Sequence, residues 1–268
     1  MMSFKKVRSN HRRSSDLRSL NFGDKLNQFY LASFPKSGNT WIRVLFTNLL
    51  SERSEAAFLG DLKSYIPDSH FKDHLTYVKN PKAEFHEQSF QFIKTHDQFG
   101  KYYRDKNVIY VVRDGRDVLN SYYHYLNARR DIPLTISDLI SGEGESAFGN
   151  WSDHVVAWNS NRSKNFITLK YENLKKDPFG EISKLLAAIN WIVPEDRVIK
   201  AIEDSSLDKL QSLEKERGIV HSDKLKQKGS LFFRKGEVGD WVNSFSDEDV
   251  KLFWESHSAG MRMMGYDE

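Results

Sequence analysis

Short apolar segments alternate with amphipathic ones along this 268-residue chain, and this alternation is the strongest constraint on its fold. Four strand-length runs rich in aromatic and β-branched residues are bounded by polar residues, at 29–34, 91–94, 107–112 and 166–170. Segments with helical period lie between and after them, at 40–51, 114–130, 151–161, 177–191 and 247–263. Such an order requires crossover connections between parallel strands. We therefore predict an α/β fold of three layers, α/β/α, with a central parallel sheet.

The length fits one domain, and we expect residues 1–268 to form a single domain. Residues 1–20 are basic, and no apolar region of the kind found in signal peptides follows them, so neither a secretory nor a twin-arginine signal is expected. A frayed arm is favoured, with a substrate-facing or phosphate-attracting segment as the alternative. Residues 35–90 are too many for a simple crossover, so extra helices or an insertion are expected there. Residues 218–241 are rich in glycine and are predicted to form a mobile loop.

Composition excludes several classes of site. The chain has no cysteine, which excludes disulfide frameworks, thiolate-held metals and cysteine nucleophiles. Its histidines show no metal-binding spacing, so no metal is predicted. A net charge of +3 does not fit a general polyanion binder, so no nucleic-acid partner is expected and any anion must be held by a local cluster. The longest apolar run, 108–112, is far short of the roughly 20 residues that span a bilayer.

Polar residues follow each predicted strand, at the end where open parallel sheets bind their ligands. They are Lys36 after the first strand, His96 after the second, Arg113 after the third and Tyr171 after the fourth. A histidine has a pKa near 6.5 and can accept a proton near neutral pH, although a lone histidine is more often structural. The set suits an anionic ligand with a reacting centre.

The turn after the first strand is the most informative of these segments. A strand that leads through Ser-Gly-Asn-Thr into a helix leaves several backbone N–H groups aimed at the loop, where an anion can bind. Gly38 lets the backbone approach an oxyanion closely. A plain turn with Thr40 as the helix cap is the alternative. Pro35 precedes the lysine, so the pattern of a Walker phosphate loop is absent.

The turn after the third strand also suits a phosphate. Arg113 ends the strand and Ser121 lies about two helical turns further on, so both can reach one phosphate near the helix start. The alternative is an ion-pair network, Arg113 with Asp117 or Asp114 with Arg116, that only stiffens the turn. Asp114 is the expected helix cap in either case.

Four segments in this order resemble the soluble sulfotransferases that use 3′-phosphoadenosine 5′-phosphosulfate (PAPS). They are 34–41, FPKSGNTW, which resembles the phosphosulfate-binding loop; 93–96, IKTH, which resembles the segment with the catalytic histidine; 111–123, VVRDGRDVLNSYY, which resembles the 3′-phosphate element; and 233–241, FRKGEVGDW, which resembles the C-terminal arginine-lysine-glycine loop. Each alone can arise by chance. The ordered set is specific and covers most of the chain.

The resemblance implies a sulfotransferase with PAPS as donor, 3′,5′-phosphoadenosine (PAP) as product and no metal. It implies that Lys36 contacts the bridging oxygen and the transferring sulfonate, that His96 is the base, and that loop 218–241 covers the nucleotide. It assigns donor contacts as follows: Ser37, Gly38, Asn39 and Thr40 to the 5′-phosphate; Arg113, Ser121, Arg234, Lys235 and Gly236 to the 3′-phosphate; Trp41, Phe232, Tyr171 and, more loosely, Ser205 to the adenine.

The acceptor is less constrained by the sequence. The resemblance implies a hydroxyl, less favourably an amine, of a small alcohol, phenol, carbohydrate or lipid. An apolar acceptor pocket or ordinary core would equally explain the aromatic residues Phe58, Tyr65, Phe71, Phe85, Phe90, Tyr102, Tyr103, Phe148 and Trp151. The charged residues Lys63, Asp68, His70 and Lys72 keep a polar acceptor open.

Residues 242–247 do not keep the family's common dimerisation motif, so the oligomeric state stays open. The resemblance favours a cytoplasmic location for the protein.

Two other functions remain: a catalytically silent module that binds a nucleotide or a polyanion, and a phosphotransferase with an aberrant phosphate loop.

Overall fold

The computed structural model of the chain describes residues 27–51, 54–70, 90–142, 148–161, 165–218 and 231–266. The predicted basic arm at 1–20 and residues 219–230 of the predicted mobile loop lie outside the described residues. Within the described ranges, no helix is both long and apolar enough to cross a membrane.

The central sheet has four parallel strands in the order β2-β1-β3-β4. Their bounds are β1 Asn27–Ser33, β2 Phe90–Thr95, β3 Asn107–Val112 and β4 Phe166–Lys170. The predicted parallel sheet is therefore confirmed, with β3 and β4 at the predicted bounds. The first crossover passes from the central β1 to the edge strand β2, so β1 and β3 are neighbours and the chain reverses direction across the sheet between them.

Ten α-helices cover the sheet in the described part of the chain. They are α1 Asn39–Leu50, α2 Leu62–Tyr65, α3 Gly115–Asn127, α4 Ile136–Ile140, α5 Trp151–Ser160, α6 Tyr171–Lys176, α7 Pro178–Ala188, α8 Glu195–Asp204, α9 Leu207–Arg217 and α10 Asp247–Met264. Short 3₁₀ turns lie at Lys101–Tyr103 and Asp240–Asn243. All five predicted helices form, with ends that differ by a few residues. Local capping explains several starts: Asp114 accepts from the Arg116 N–H, and Asp177 accepts from the Gly180 N–H.

Alternate residues of the strands pack against the two helical layers. On one face Phe29 and Leu31 of β1 join a buried cluster with residues of α1, α7 and α8. On the other face Tyr30 and Ala32 join a cluster with residues of α3, α4, α5 and α10. Both faces of the sheet are thus buried, which confirms the three-layer arrangement and leaves the carboxyl ends of the strands as the open edge.

Candidate active site

A cavity of about 670 Å³ lies at the carboxyl ends of the strands. Every residue that the sequence assigned to the site lines it except Ser37: Lys36, Gly38, Asn39, Thr40, Trp41, His96, Arg113, Ser121, Tyr171, Ser205, Phe232, Arg234, Lys235 and Gly236. The fold therefore brings together side chains from segments that are far apart in the sequence. More lysine and arginine residues than aspartate and glutamate residues line the cavity.

Lys36 occupies a strained turn between β1 and α1. Its backbone φ is 70°, in the left-handed region that non-glycine residues seldom adopt. Its Nζ lies 4.5 Å from the ring centroid of Tyr125 and 4.6 Å from that of Phe232. Burial, together with Arg129, Arg113 and other cations, lowers the pKa of Lys36 to about 7. The ammonium is thus held by two aromatic faces in a cationic setting that favours an incoming anion.

Gly38 and Tyr171 pack together beneath this turn. Gly38 has φ 99°, and a Cβ at this position would lie 2.6 Å from Cδ2 of Tyr171. The hydroxyl of Tyr171 donates to the carbonyl oxygen of Gly236 at 2.9 Å, and its ring lies 4.5 Å from Cζ of Arg113. Trp41 packs edge-on against the same ring, with the two ring centroids 5.5 Å apart. Tyr171 thereby connects three of the segments that the sequence placed in the site.

Arg113 points over the start of α3. One of its terminal nitrogens donates to the Glu237 carbonyl oxygen at 2.7 Å and lies 3.4 Å from the Asp117 carboxylate. The Asp114–Arg116 ion pair also forms, at 2.8 Å, so both ion pairs of the alternative interpretation are present. Nε of Arg113 and Oγ of Ser37 are nevertheless buried without a hydrogen-bond partner. Buried polar groups without partners are costly, and a phosphate group at each of them would supply the missing hydrogen bond.

Two acidic residues fix the segment 231–241 across the cavity. Asp240 accepts from Arg234 at 2.5 Å and from Lys235 at 2.6 Å. Asp117 accepts from the backbone N–H groups of Gly239 and Trp241 at 2.8 and 3.1 Å. The segment is thus tied to the first turn of α3 through Asp117, and its two basic residues are held by Asp240.

Glu214 of α9 anchors the beginning of the same segment. Its carboxylate accepts from the backbone N–H groups of Phe232 at 2.6 Å and Phe233 at 3.1 Å. Because Phe232 also contacts Lys36, this anchor fixes one wall of the lysine's aromatic surroundings. Sequence reasoning missed Glu214, since nothing in the local pattern of a helical glutamate indicates which backbone it will cap.

His96 follows β2 and is partly exposed to the cavity. Its Nδ1 lies 2.7 Å from the carbonyl oxygen of Ser33 and 3.3 Å from that residue's hydroxyl. A carbonyl oxygen only accepts, so Nδ1 carries the hydrogen and Nε2 carries the lone pair. Burial, and then the nearby Lys94 ammonium, lower the pKa of His96 well below its usual range. The ring is therefore neutral at neutral pH, and the lone pair of Nε2 is free.

The backbone just after His96 is fixed by two residues of α5. The carbonyl oxygen of Asp97 accepts from Nε1 of Trp158 at 3.0 Å and lies 3.1 Å from Nε2 of His154. Both residues belong to α5 and are fully buried. Sequence reasoning missed them because helical periodicity identifies them only as core.

One wall beside His96 is polar. Asp68, His70, Lys94 and Arg43 all line the cavity there. Asp68 accepts from Lys94 at 2.7 Å, and the Arg43 guanidinium donates to the Ile66 carbonyl oxygen at 2.6 Å. Burial lowers the pKa of Arg43 to about 10.

The cavity also has an aromatic lining, and it differs from the candidate acceptor set. Among the described members of that set only Phe148 lines the cavity, where Tyr122 and Tyr125 join it. Phe58, Phe90, Tyr103 and Trp151 are buried in core clusters, Tyr65 and Tyr102 pack against them, and Phe71 and Phe85 lie outside the described residues. The core explanation thus accounts for most of these aromatics.

Residues 26–265 match the family model described as sulfotransferase domain. The flavonol 3-sulfotransferase of Flaveria bidentis is 29% identical over 251 residues, covering 84% of this chain and 78% of the relative. Sulfotransferase 1B1 of Mus musculus is 28% identical over 239 residues, covering 83% and 79%. The crystal structure of mouse sulfotransferase SULT7A1 complexed with PAP superposes with a TM-score of 0.69 at 23% identity, covering 97% of this chain and 95% of that one.

Proposed function

Because residues 26–265 match the sulfotransferase domain, the chain belongs to the sulfotransferase family, and we propose that it transfers a sulfonate group from PAPS to an acceptor hydroxyl. Lys36 and His96 face one cavity from the ends of neighbouring strands, and this juxtaposition carries the proposal. When bound, PAPS supplies an activated sulfonate on a phosphate leaving group. The residues of the chain bind PAPS, align it with the acceptor and remove the acceptor's proton.

Donor binding rests on the strand-to-helix turn and the segment 231–241. Ser37, Gly38, Asn39 and Thr40 suit the 5′-phosphate, since the turn presents backbone N–H groups and a buried Ser37 hydroxyl without a partner. Arg113, Ser121, Arg234, Lys235 and Gly236 suit the 3′-phosphate. Trp41, Tyr171, Ser205 and Phe232 are assigned to the adenine by resemblance. The contact of Phe232 with Lys36 gives that ring a second role.

Leaving-group stabilisation falls to Lys36. Negative charge develops on the bridging phosphate oxygen during in-line displacement, and a cation aimed at that oxygen stabilises the transition state more than the ground state. No carboxylate pairs with the Lys36 ammonium among the described residues, and aromatic faces hold it instead. Its charge is therefore directed to the donor and not neutralised by the protein.

Proton removal falls to His96. Ser33 fixes its tautomer so that Nε2 is the basic nitrogen. As the acceptor oxygen attacks sulfur, its proton passes to Nε2, and a base so placed contributes roughly a hundred- to ten-thousand-fold in rate.

Small-molecule acceptors are the expected class, as the names of relatives such as the flavonol 3-sulfotransferase suggest. The mixed aromatic and charged lining, with Phe148, Tyr122 and Asp68, suits a hydroxyl-bearing ring with polar substituents. We place the enzyme in the cytoplasm on its resemblance to the cytosolic members of the family.

An acceptor screen with radiolabelled PAPS tests the function. Labelled sulfonate should appear on a phenol, alcohol or carbohydrate, and PAP should stabilise the protein against heat while ATP with magnesium should not. Tight PAP binding without transfer to any acceptor would favour a silent binding module. Stabilisation by ATP with magnesium alone would favour a phosphotransferase.

A further inference from the structure

His70 lies beside the proposed base because the chain segment before it runs along the edge of the sheet. Residue 68 pairs with residue 94 of β2, through Ser69 N–H to Lys94 O at 3.0 Å and Lys94 N–H to Pro67 O at 2.9 Å. This register brings His70 level with His96, and the two ring centroids are 6.3 Å apart. Phe148 packs edge-on against both rings, at 4.8 and 5.5 Å.

Each nitrogen of the His70 ring contacts a carboxylate. Nδ1 lies 3.2 Å from Oδ1 of Asp68, and Nε2 lies 2.9 Å from Oδ1 of Asp97. An ionised carboxylate only accepts, so both ring nitrogens must donate, which requires the imidazolium form. The side chain is only 10% exposed, so water cannot readily replace either partner.

The electrostatics of the two carboxylates agree with this geometry. The pKa values of Asp68 and Asp97 are both lowered although burial opposes it, by Lys94 and His70 at Asp68 and by His70 at Asp97. The pKa of His70 is raised, because its hydrogen bonds to Asp68 and Asp97 outweigh its burial.

Five charged groups lie around His96 in the part of the chain that the structure describes. Lys94 of β2, Arg43 of α1 and His70 are cations, and Asp68 and Asp97 are anions. With His70 protonated the group carries one surplus positive charge, whereas with His70 neutral the charges balance. A surplus cation near His96 opposes its protonation and so keeps the base available.

We propose that His70 is a protonated positioning residue whose charge, held between Asp68 and Asp97, adds to the effects of burial and Lys94 in opposing protonation of His96, so that Nε2 stays free to accept the acceptor's proton. The proposal rests on the proposed sulfonate transfer for its kinetic consequence, but the charge of His70 is independent of turnover. Nothing in the motif resemblance assigns a role to His70.

Nitrogen-resolved NMR of ¹⁵N-histidine-labelled protein tests the charge directly. Assignment uses the spectrum of His70→Gln. His70 should show two protonated nitrogens at pH 7.5, and His96 should show one. A neutral His70 ring at that pH would overturn the proposal. Because this measurement needs no acceptor, it holds or fails separately from the sulfotransferase activity.

Kinetics test the effect on the base. In His70→Gln, the acid limb of the kcat/KM profile and the NMR titration of His96 should both move upward by about one pH unit, as a lost charge some 6 Å away at intermediate dielectric would produce. Phe148→Leu is the matched packing control, since it disturbs both rings without a change of charge, and its acid limb should stay in place. An unmoved limb in His70→Gln, or an equal shift in Phe148→Leu, would overturn the proposal.

Discussion

Nδ1 of His96 donates a hydrogen bond to the backbone carbonyl oxygen of Ser33 across 2.7 Å. Ser33 is the last residue of β1, three positions before Lys36. The strand end that begins the proposed donor-binding turn therefore also fixes the tautomer of the proposed base. This contact ties Lys36 and His96, the two proposed catalytic residues, to one rigid element, and it makes their relative position a property of the sheet.

Binding of PAP should take up protons above pH 7. The pKa of Lys36 in the free protein is about 7, so at pH 8 most of the lysine is neutral. A bound phosphate favours the charged form and raises that pKa, so binding captures a proton and affinity falls as pH rises. Calorimetry at pH 8 in two buffers of different ionisation enthalpy measures the uptake. Lys36→Met should abolish it, and equal uptake in the variant would contradict the assignment to Lys36.

Gly38→Ala should destabilise the protein by about 1–3 kcal/mol and weaken PAP binding. Alanine would have to adopt a φ of 99°, and its Cβ would lie 2.6 Å from the Tyr171 ring. Gly60→Ala is the control, since a Cβ there meets no atom within 4 Å. Thermal unfolding of both variants is the measurement. Equal melting temperatures would show that the turn is not conformationally restricted.

Tyr125→Leu should lower the pKa of Lys36 further, because one of its two cation–π contacts, worth roughly 0.5–2 kcal/mol, is lost. Tyr125→Phe keeps the ring face and should leave this pKa unchanged. Titration of the labelled lysine Cε resonance by NMR distinguishes the two. If leucine and phenylalanine behaved alike, the ring would act only as a spacer.

Glu214→Ala should weaken PAP binding about tenfold, since the backbone N–H groups of Phe232 and Phe233 lose their buried acceptor. Glu216→Ala on the same helix removes a side chain that is 70% exposed and serves as the control. Binding titrations decide between them. Unchanged affinity in Glu214→Ala would mean that the segment 231–241 holds its position without this anchor.

The sequence predicted the sheet well because each strand combines an apolar run with polar boundaries. It failed for short helices such as α6, which begins at Tyr171 directly after β4 and has too few residues for a periodic pattern. It also placed the start of α1 at Thr40, whereas the left-handed Gly38 lets the helix begin at Asn39.

The motifs assigned residues that line one cavity, and several of these residues directly follow strand ends in the sequence. The contacts that orient them were not predictable in this way. Asp240 with Arg234, Glu214 with Phe232 and Asp68 with Lys94 depend on how separate segments meet. His70 had no signal beyond its charge, since its place beside His96 comes from an isolated strand pairing.

Single-turnover transfer of radiolabelled sulfonate by the wild-type protein and by His96→Ala, with PAP binding measured in parallel, tests the central claim most directly. The account predicts that His96→Ala binds PAP as tightly as the wild type but transfers sulfonate at least roughly a hundredfold more slowly. Transfer at the wild-type rate by His96→Ala, with an acceptor that the wild type uses, would contradict it.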